Sequence, residues 1–329
     1  MDKWSKIALA ACFLAAVFAV PALLFAYGRH GDGIAFYENR PKAASPALTA
    51  DGLLDGSYFG GWESWLSDRV AGRERLLRYG ALLDYAILRR PVVNGTVAAE
   101  GVLLPFHGYH EHDAGAAEGD ITAAAGGLGR LAYLAEGIGA RFYYVGVPEQ
   151  GSFYAGDYPG YLESDASYVA AARAAMSAQL TARGIGYIDM SAVFTGGTQP
   201  APYAATDHHY NYFGAYGTYR QIMSRLSADG LEVPVIGPED IDITALPNSF
   251  VGSHNRRLCM LFKNPDPLYI GTLRSAVPFT REDNGGSSPP VVYALPADSA
   301  TPVTYNVYMG GDVAETIIRT DRPELPNLL

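Results

Sequence analysis

Between Ile121 and Leu231 the apolar positions switch repeatedly between two spacings. Helical spacing runs to Ala140, and a short apolar run follows from Phe142 to Val147. Helical spacing returns from Tyr168 to Arg183, before a second short run from Ile185 to Met190. A loop containing Asp207 then leads to a last helical stretch, Tyr212 to Leu226. Helices alternating with short buried strands predict an α/β domain with a mainly parallel sheet and helices on both faces. Such sheets carry their sites at the carboxyl ends of strands. Glu149 and Gln150 lie just past one such end, and the loop carrying Asp207 follows another.

Outside this stretch the pattern changes twice. Ile7 to Tyr27 is uncharged and almost wholly apolar behind Lys3 and Lys6, and as a helix it would span about 30 Å. Residues 1–28 therefore predict one N-terminal transmembrane helix, retained as an anchor rather than cleaved, with the remaining chain outside the cytoplasm. Residues 29–60 are rich in Gly, Pro, Ala and Asp and predict a linker. From Gly61 onward, Trp62, Trp65, Leu66, Val70, Leu76 and Leu83 follow helical spacing, with a break at Ala71-Gly72. The domain is read as residues 61–329. Within it, residues 240–322 predict a β-rich insertion, with strands over 258–262, 268–273, 291–295, 303–308 and 315–319.

Composition narrows the function. A chain of 329 residues with 49% hydrophobic content can bury one large core or two modest ones. A net charge of -10 and no basic cluster exclude a nucleic-acid partner, because phosphate binding needs a basic face. Of the two cysteines, Cys12 lies in the apolar run and Cys259 stands alone, so no disulfide framework is expected. No cofactor is expected either.

The chemistry concentrates in Asp207-His208-His209-Tyr210. A carboxylate bonded to one imidazole nitrogen fixes the tautomer and lets the other nitrogen take a proton from a serine. Residues two apart in an extended loop face the same side, so Asp207 should meet His209 while His208 points away. Ser253, in Val-Gly-Ser-His-Asn, lacks the second glycine of a nucleophile elbow and is set aside as the nucleophile. A second histidine group, His107, His110 and His112, could join Asp207 and His209 in a metal site. No helical histidine pair fixes such ligands.

The segment Thr206 to Tyr216 resembles the DHHW family of bacterial cell-surface proteins and, more distantly, the SGNH-hydrolase-like proteins that O-acetylate alginate. Tyr210 stands where tryptophan is usual. The likeness extends in order through Glu38-Asn39-Arg40, an Asp-x-x-x-x-Arg stretch from Asp68 to Arg73, Val147-Pro148-Glu149-Gln150 and Tyr308 to Asp312. It implies an SGNH-hydrolase-like, flavodoxin-like domain that hydrolyses an acyl ester or transfers an O-acetyl group on cell-surface polysaccharide, with an acyl-donor partner in the membrane. Asp207 would orient His209 as general base, while His208, Tyr210, Glu149 and Gln150 shape the substrate pocket and Gln150 assists the oxyanion. In those families the serine follows later, which implies a nucleophile beyond Leu329. The alternatives are a non-catalytic polysaccharide-binding protein, or a metal-binding protein using both histidine groups.

Overall fold

The computed structural model describes residues 3–28, 33–106, 108, 114–162, 165–195 and 200–327. His107, His110 and His112, and the terminal Leu328-Leu329 pair, lie outside the described residues. The chain forms two compact units, residues 1–94 with 256–261, and residues 95–255 with 262–329.

In the first unit, α1 (Lys3–Gly28) is helical as its apolar run predicts. Among the described residues, however, no helix is long and apolar enough to cross a membrane, so the expected span finds no support in the structure. The stretch read as a linker contains the strands β1 (Ile34–Ala35) and β2 (Arg40–Pro41) and the short helix α2 (Ala50–Leu54). Next come α3 (Ser57–Asp68) and α4 (Arg73–Leu82), separated where Gly72 takes a left-handed φ of 73°. Trp65 is buried, with Trp62 edge-on at 5.4 Å and the Arg69 guanidinium 4.4 Å above its ring, so both tryptophans serve packing. Two segments far apart in sequence meet here. Arg40 grips both oxygens of Asp68 at 2.6 and 2.7 Å, and Arg73 pairs with Glu38 at 2.7 Å. Asp68 accordingly titrates at about 2, chiefly through its bonds with Arg40.

The second unit opens with the antiparallel pair β3 (Thr96–Ala98) and β4 (Leu103–Pro105), followed by α5 (Ala114–Gly137). The strand β5 (Tyr143–Gly146) leads to the single turn α6 (Gln150–Phe153), then α7 (Ala166–Ala182), β6 (Gly186–Asp189) and α8 (Tyr212–Ala228). Strands β5 and β6 are parallel, with Tyr144 opposite Tyr187. Because side chains alternate along a strand, Tyr144 and Tyr187 pack with Ala125 and Leu180 on one face. Val145 and Ile188 pack with Ile222 of α8 on the other. Helices thus cover both faces, as the alternation predicts. Among the described residues the parallel sheet has only these two strands, the other named strands pair antiparallel, and Phe250 and Val303 form an isolated parallel bridge.

The remainder contains several short strands, but of the five expected there only 268–273 and 315–319 form, while 258–262, 291–295 and 303–308 fold otherwise. β7 (Ile241–Ala245) pairs with β8 (Tyr269–Leu273), and β9 (Phe279–Asp283) lies between β10 (Gly286–Ser288) and β11 (Thr316–Thr320). The run 258–262 is no strand. It follows the short helix α9 (Ser253–Arg257), and Cys259 and Met260 have φ of 53° and 59°, a conformation no extended segment adopts. The run 303–308 closes into a 3-10 turn at Tyr305–Val307, because the Thr304 side chain accepts the Asn306 N–H. Ala204, Phe250, Leu268, Val303 and Val307 form one apolar cluster. It packs together the loop before Asp207, the segment before Ser253 and the β-rich region.

Candidate active site

The loop carrying Asp207 is closed at its base. Tyr203 and Tyr210 form an antiparallel bridge, and Asn211 donates to the carbonyls of Ala201 and Tyr203. The same Asn211 caps α8, accepting from the N–H groups of Phe213 and Gly214. Gly214 is required there, since a Cβ would stand 2.4 Å from the Pro202 carbonyl oxygen. From the β-rich region, Asp266 accepts the Ala205 N–H at 3.0 Å, the Thr206 N–H at 2.7 Å and the Thr206 hydroxyl at 2.6 Å. Burial pushes the Asp266 carboxyl up, against the pull of those Thr206 bonds and with the help of the nearby Asp207 charge.

Asp207 is 1% exposed. Its Oδ1 meets the His209 ring at Nδ1 (2.5 Å) and accepts the His209 N–H (3.0 Å), while Oδ2 accepts the backbone N–H of Ser253 at 2.6 Å. Burial alone would push this carboxyl up. The bonds from the His209 ring and from the two backbone N–H groups outweigh it and hold Asp207 well below the usual carboxylate range. The imidazoles sit nearer solvent, with side-chain exposures of 32% for His209 and 53% for His208. A buried anion therefore faces two accessible rings.

Ser253 begins α9, and the preceding glycine brings it to the site. A Cβ on Gly252 would lie 2.1 Å from the Thr206 carbonyl oxygen, which itself accepts the His254 N–H at 3.1 Å. This approach puts Ser253 Oγ 2.9 Å from His208 Nδ1. The serine set aside for want of a second glycine thus stands beside the Asp207 and histidine group. His208, expected to point away from Asp207 and His209, meets this hydroxyl, with its ring centroid 3.8 Å from that of His209.

Gln150 also departs from expectation. It is 1% exposed, with Nε2 donating to the Ala204 carbonyl at 3.1 Å and Oε1 meeting His254 Nε2 at 2.9 Å. Both ends of its amide are engaged inside the protein, so it ties the start of α6 to the serine segment rather than facing an oxyanion. The Ser253 N–H is likewise engaged by Asp207. Tyr210 packs its ring against Phe194. Glu149 lines a cavity of about 530 Å³ with Tyr144, Ser152, Phe153 and Arg173, and none of Asp207, His208, His209 or Ser253 borders it.

The donor atoms of Asp207, His208 and His209 lie within 4.8 Å of one another, as a metal would need. Asp207 Oδ1 already accepts two bonds from His209 and Oδ2 one from Ser253, which is the arrangement of a relay. Sequence reasoning missed Asp266, His254 and Tyr305, the last of which stacks on His209 with ring centroids 3.7 Å apart.

Residues 88–258, just over half of the chain, match the SGNH hydrolase-like domain of the acetyltransferase AlgX. The chain belongs to this AlgX-type SGNH hydrolase-like family. Asp207, His209 and Ser253 all fall inside the matched residues of the AlgX-type domain, whereas Asp266 and Tyr305 lie beyond them. Among solved structures, Bacillus cereus PatB1 shares the fold with a TM-score of 0.54 and 19% identity, over 69% of this chain and 76% of that one. PatB1 with a sulfonyl adduct gives 0.52 and 18%, over 69% and 74%. A DHHW family protein from Eubacterium siraeum is similar at 0.48 and 19%, over 70% and 73%. No curated protein sequence matches the chain.

Proposed function

We propose that this protein is an acyltransferase or esterase that acts on acyl esters of carbohydrate, with Ser253 as nucleophile. The observation that carries the reading is the two-sided use of Asp207, which holds the His209 ring through one oxygen and the Ser253 backbone through the other. With Nδ1 bonded to the carboxylate, His209 has Nε2 left to act as base. As Ser253 Oγ bonds to the acyl carbon its proton passes to His209, which returns it to the departing alcohol. A sugar hydroxyl or water then attacks the acyl-serine, and the serine proton is restored. Its membership of an acetyltransferase family supports acetyl as the acyl group.

A second assignment of the base has its own support, because Ser253 Oγ rests on His208 rather than His209 in this structure. Under the first assignment the hydroxyl turns from one ring to the other before attack. This reading goes with a cell-envelope carbohydrate as substrate, a domain outside the cytoplasm and a membrane partner that supplies the acyl group.

The experiment is covalent labelling of the purified chain with an aryl sulfonyl fluoride, read by peptide mass spectrometry, alongside turnover of an aryl acetate. PatB1 is known with a sulfonyl adduct, which recommends the reagent. Mass gain at Ser253, lost in Asp207→Asn and His209→Ala, is the expected result. Undiminished turnover by Ser253→Ala would overturn the reading.

A further inference from the structure

We infer that Tyr305, from the β-rich region outside the residues matched to the AlgX-type domain, is a positioning residue that clamps the His209 ring. The inference rests on the acyl-transfer reading. Tyr305 lies almost parallel to His209, with an interplanar angle of 11° and centroids 3.7 Å apart, so the two faces meet over their whole width. An imidazole held by a single hydrogen bond at Nδ1 can still swing about that bond. A flat face laid against it removes the swing and keeps Nε2 on one heading.

The clamp is itself anchored. The Thr304 side chain accepts the Asn306 N–H to close the 3-10 turn, and Val307 in the same turn is buried in the apolar cluster shared with Ala204 and Phe250. Tyr308 braces the Tyr305 ring edge-on at 5.1 Å. Burial pushes the Tyr305 hydroxyl up to about 12, so the ring stays neutral where the enzyme works. When His209 takes the serine proton it becomes a cation lying on an electron-rich face, an arrangement stabilised in the charged state and much less in the neutral one. A residue far along the chain and outside the matched domain thereby contributes to the step in which charge develops.

The test compares Tyr305→Phe and Tyr305→Leu with wild type in two measurements. In sulfonyl fluoride labelling, Tyr305→Phe keeps the face and should label Ser253 at the wild-type rate, whereas Tyr305→Leu should label about tenfold more slowly. In proton NMR, the carbon-bound ring protons of His209, assigned by their loss in His209→Ala, should be shifted upfield in wild type and Tyr305→Phe and relax toward ordinary positions in Tyr305→Leu. Tyr305→Met replaces the leucine variant if that one folds poorly. Wild-type labelling rates in Tyr305→Leu, with Ser253 confirmed as the labelled residue, overturn the clamp and leave the acyl-transfer reading standing. Failure of wild type to label Ser253 overturns the acyl-transfer reading, and the ring-proton shifts then decide whether the stack exists. Unshifted ring protons in wild type overturn the clamp outright.

Discussion

Asp207 Oδ2 accepts the backbone N–H of Ser253 at 2.6 Å across 46 positions of sequence. The bond does more than place a hydroxyl. It makes the carboxylate that orients His209 also the anchor of the serine segment, so disturbance of either partner reaches the other. Four predictions follow from this coupling and from the groups that support it.

The first concerns acid stability. Asp207 is held well below the usual carboxylate range by bonds that outweigh its burial. A carboxyl with a depressed native value contributes its full stabilisation above its unfolded value, roughly pH 4, and loses it as pH falls through the native value. Asp207→Asn should therefore be less stable than wild type at neutral pH, and the gap should narrow below about pH 4. Urea unfolding at a series of pH values measures this. A gap that stays constant into acid would remove Asp207 as its source.

The second concerns Gly252, whose missing Cβ admits the Thr206 carbonyl. Gly252→Ala puts a methyl 2.1 Å from that oxygen, and the rigid backbone on both sides must part. We expect a loss of about 1–3 kcal/mol in stability from overpacking. Ser253 labelling should nearly disappear in the protein that remains folded. Normal labelling would mean that the serine does not depend on this approach.

The third separates support from substrate contact at Gln150. Gln150→Ala removes the bonds to His254 Nε2 and the Ala204 carbonyl, at a cost of about 1–3 kcal/mol. The unfolding midpoint should fall while the KM for an acyl ester hardly moves. A raised KM at unchanged stability would restore the substrate-binding role expected from sequence.

The fourth concerns Asp266, which accepts three donors from Ala205 and Thr206. In Asp266→Asn the amide NH2 cannot accept, so at least one of these buried donors loses its bond. A destabilisation of about 1–3 kcal/mol is expected, with kcat reduced because the loop that sets Asp207 is loosened. Hydrogen exchange at the Ala205 and Thr206 amides reports it directly, and unchanged protection there would count against the role.

Much of the fold was written in the order of residues. The change from helical to short apolar spacing located β5, α7, β6 and α8 within two positions, and α5 except for its first turns, because period reports which side of an element is buried and needs no knowledge of its neighbours. The Asp207 and His209 juxtaposition was equally local, since two residues span it. The β-rich region was visible in outline only. Tyr305 looked like part of a strand, and its turn depends on the Thr304 cap winning over extended pairing.

What the sequence by itself determined was the alternating α/β frame and a carboxylate set to hold an imidazole. Tertiary structure alone decided that Ser253 joins them, that Gln150 faces inward to His254, and that Tyr305 covers His209. Each of these is a contact between residues roughly fifty to a hundred positions apart, which no local pattern of residues reports. The Val-Gly-Ser segment gives no sign of its destination until the Thr206 carbonyl occupies the space that a side chain on Gly252 would have filled.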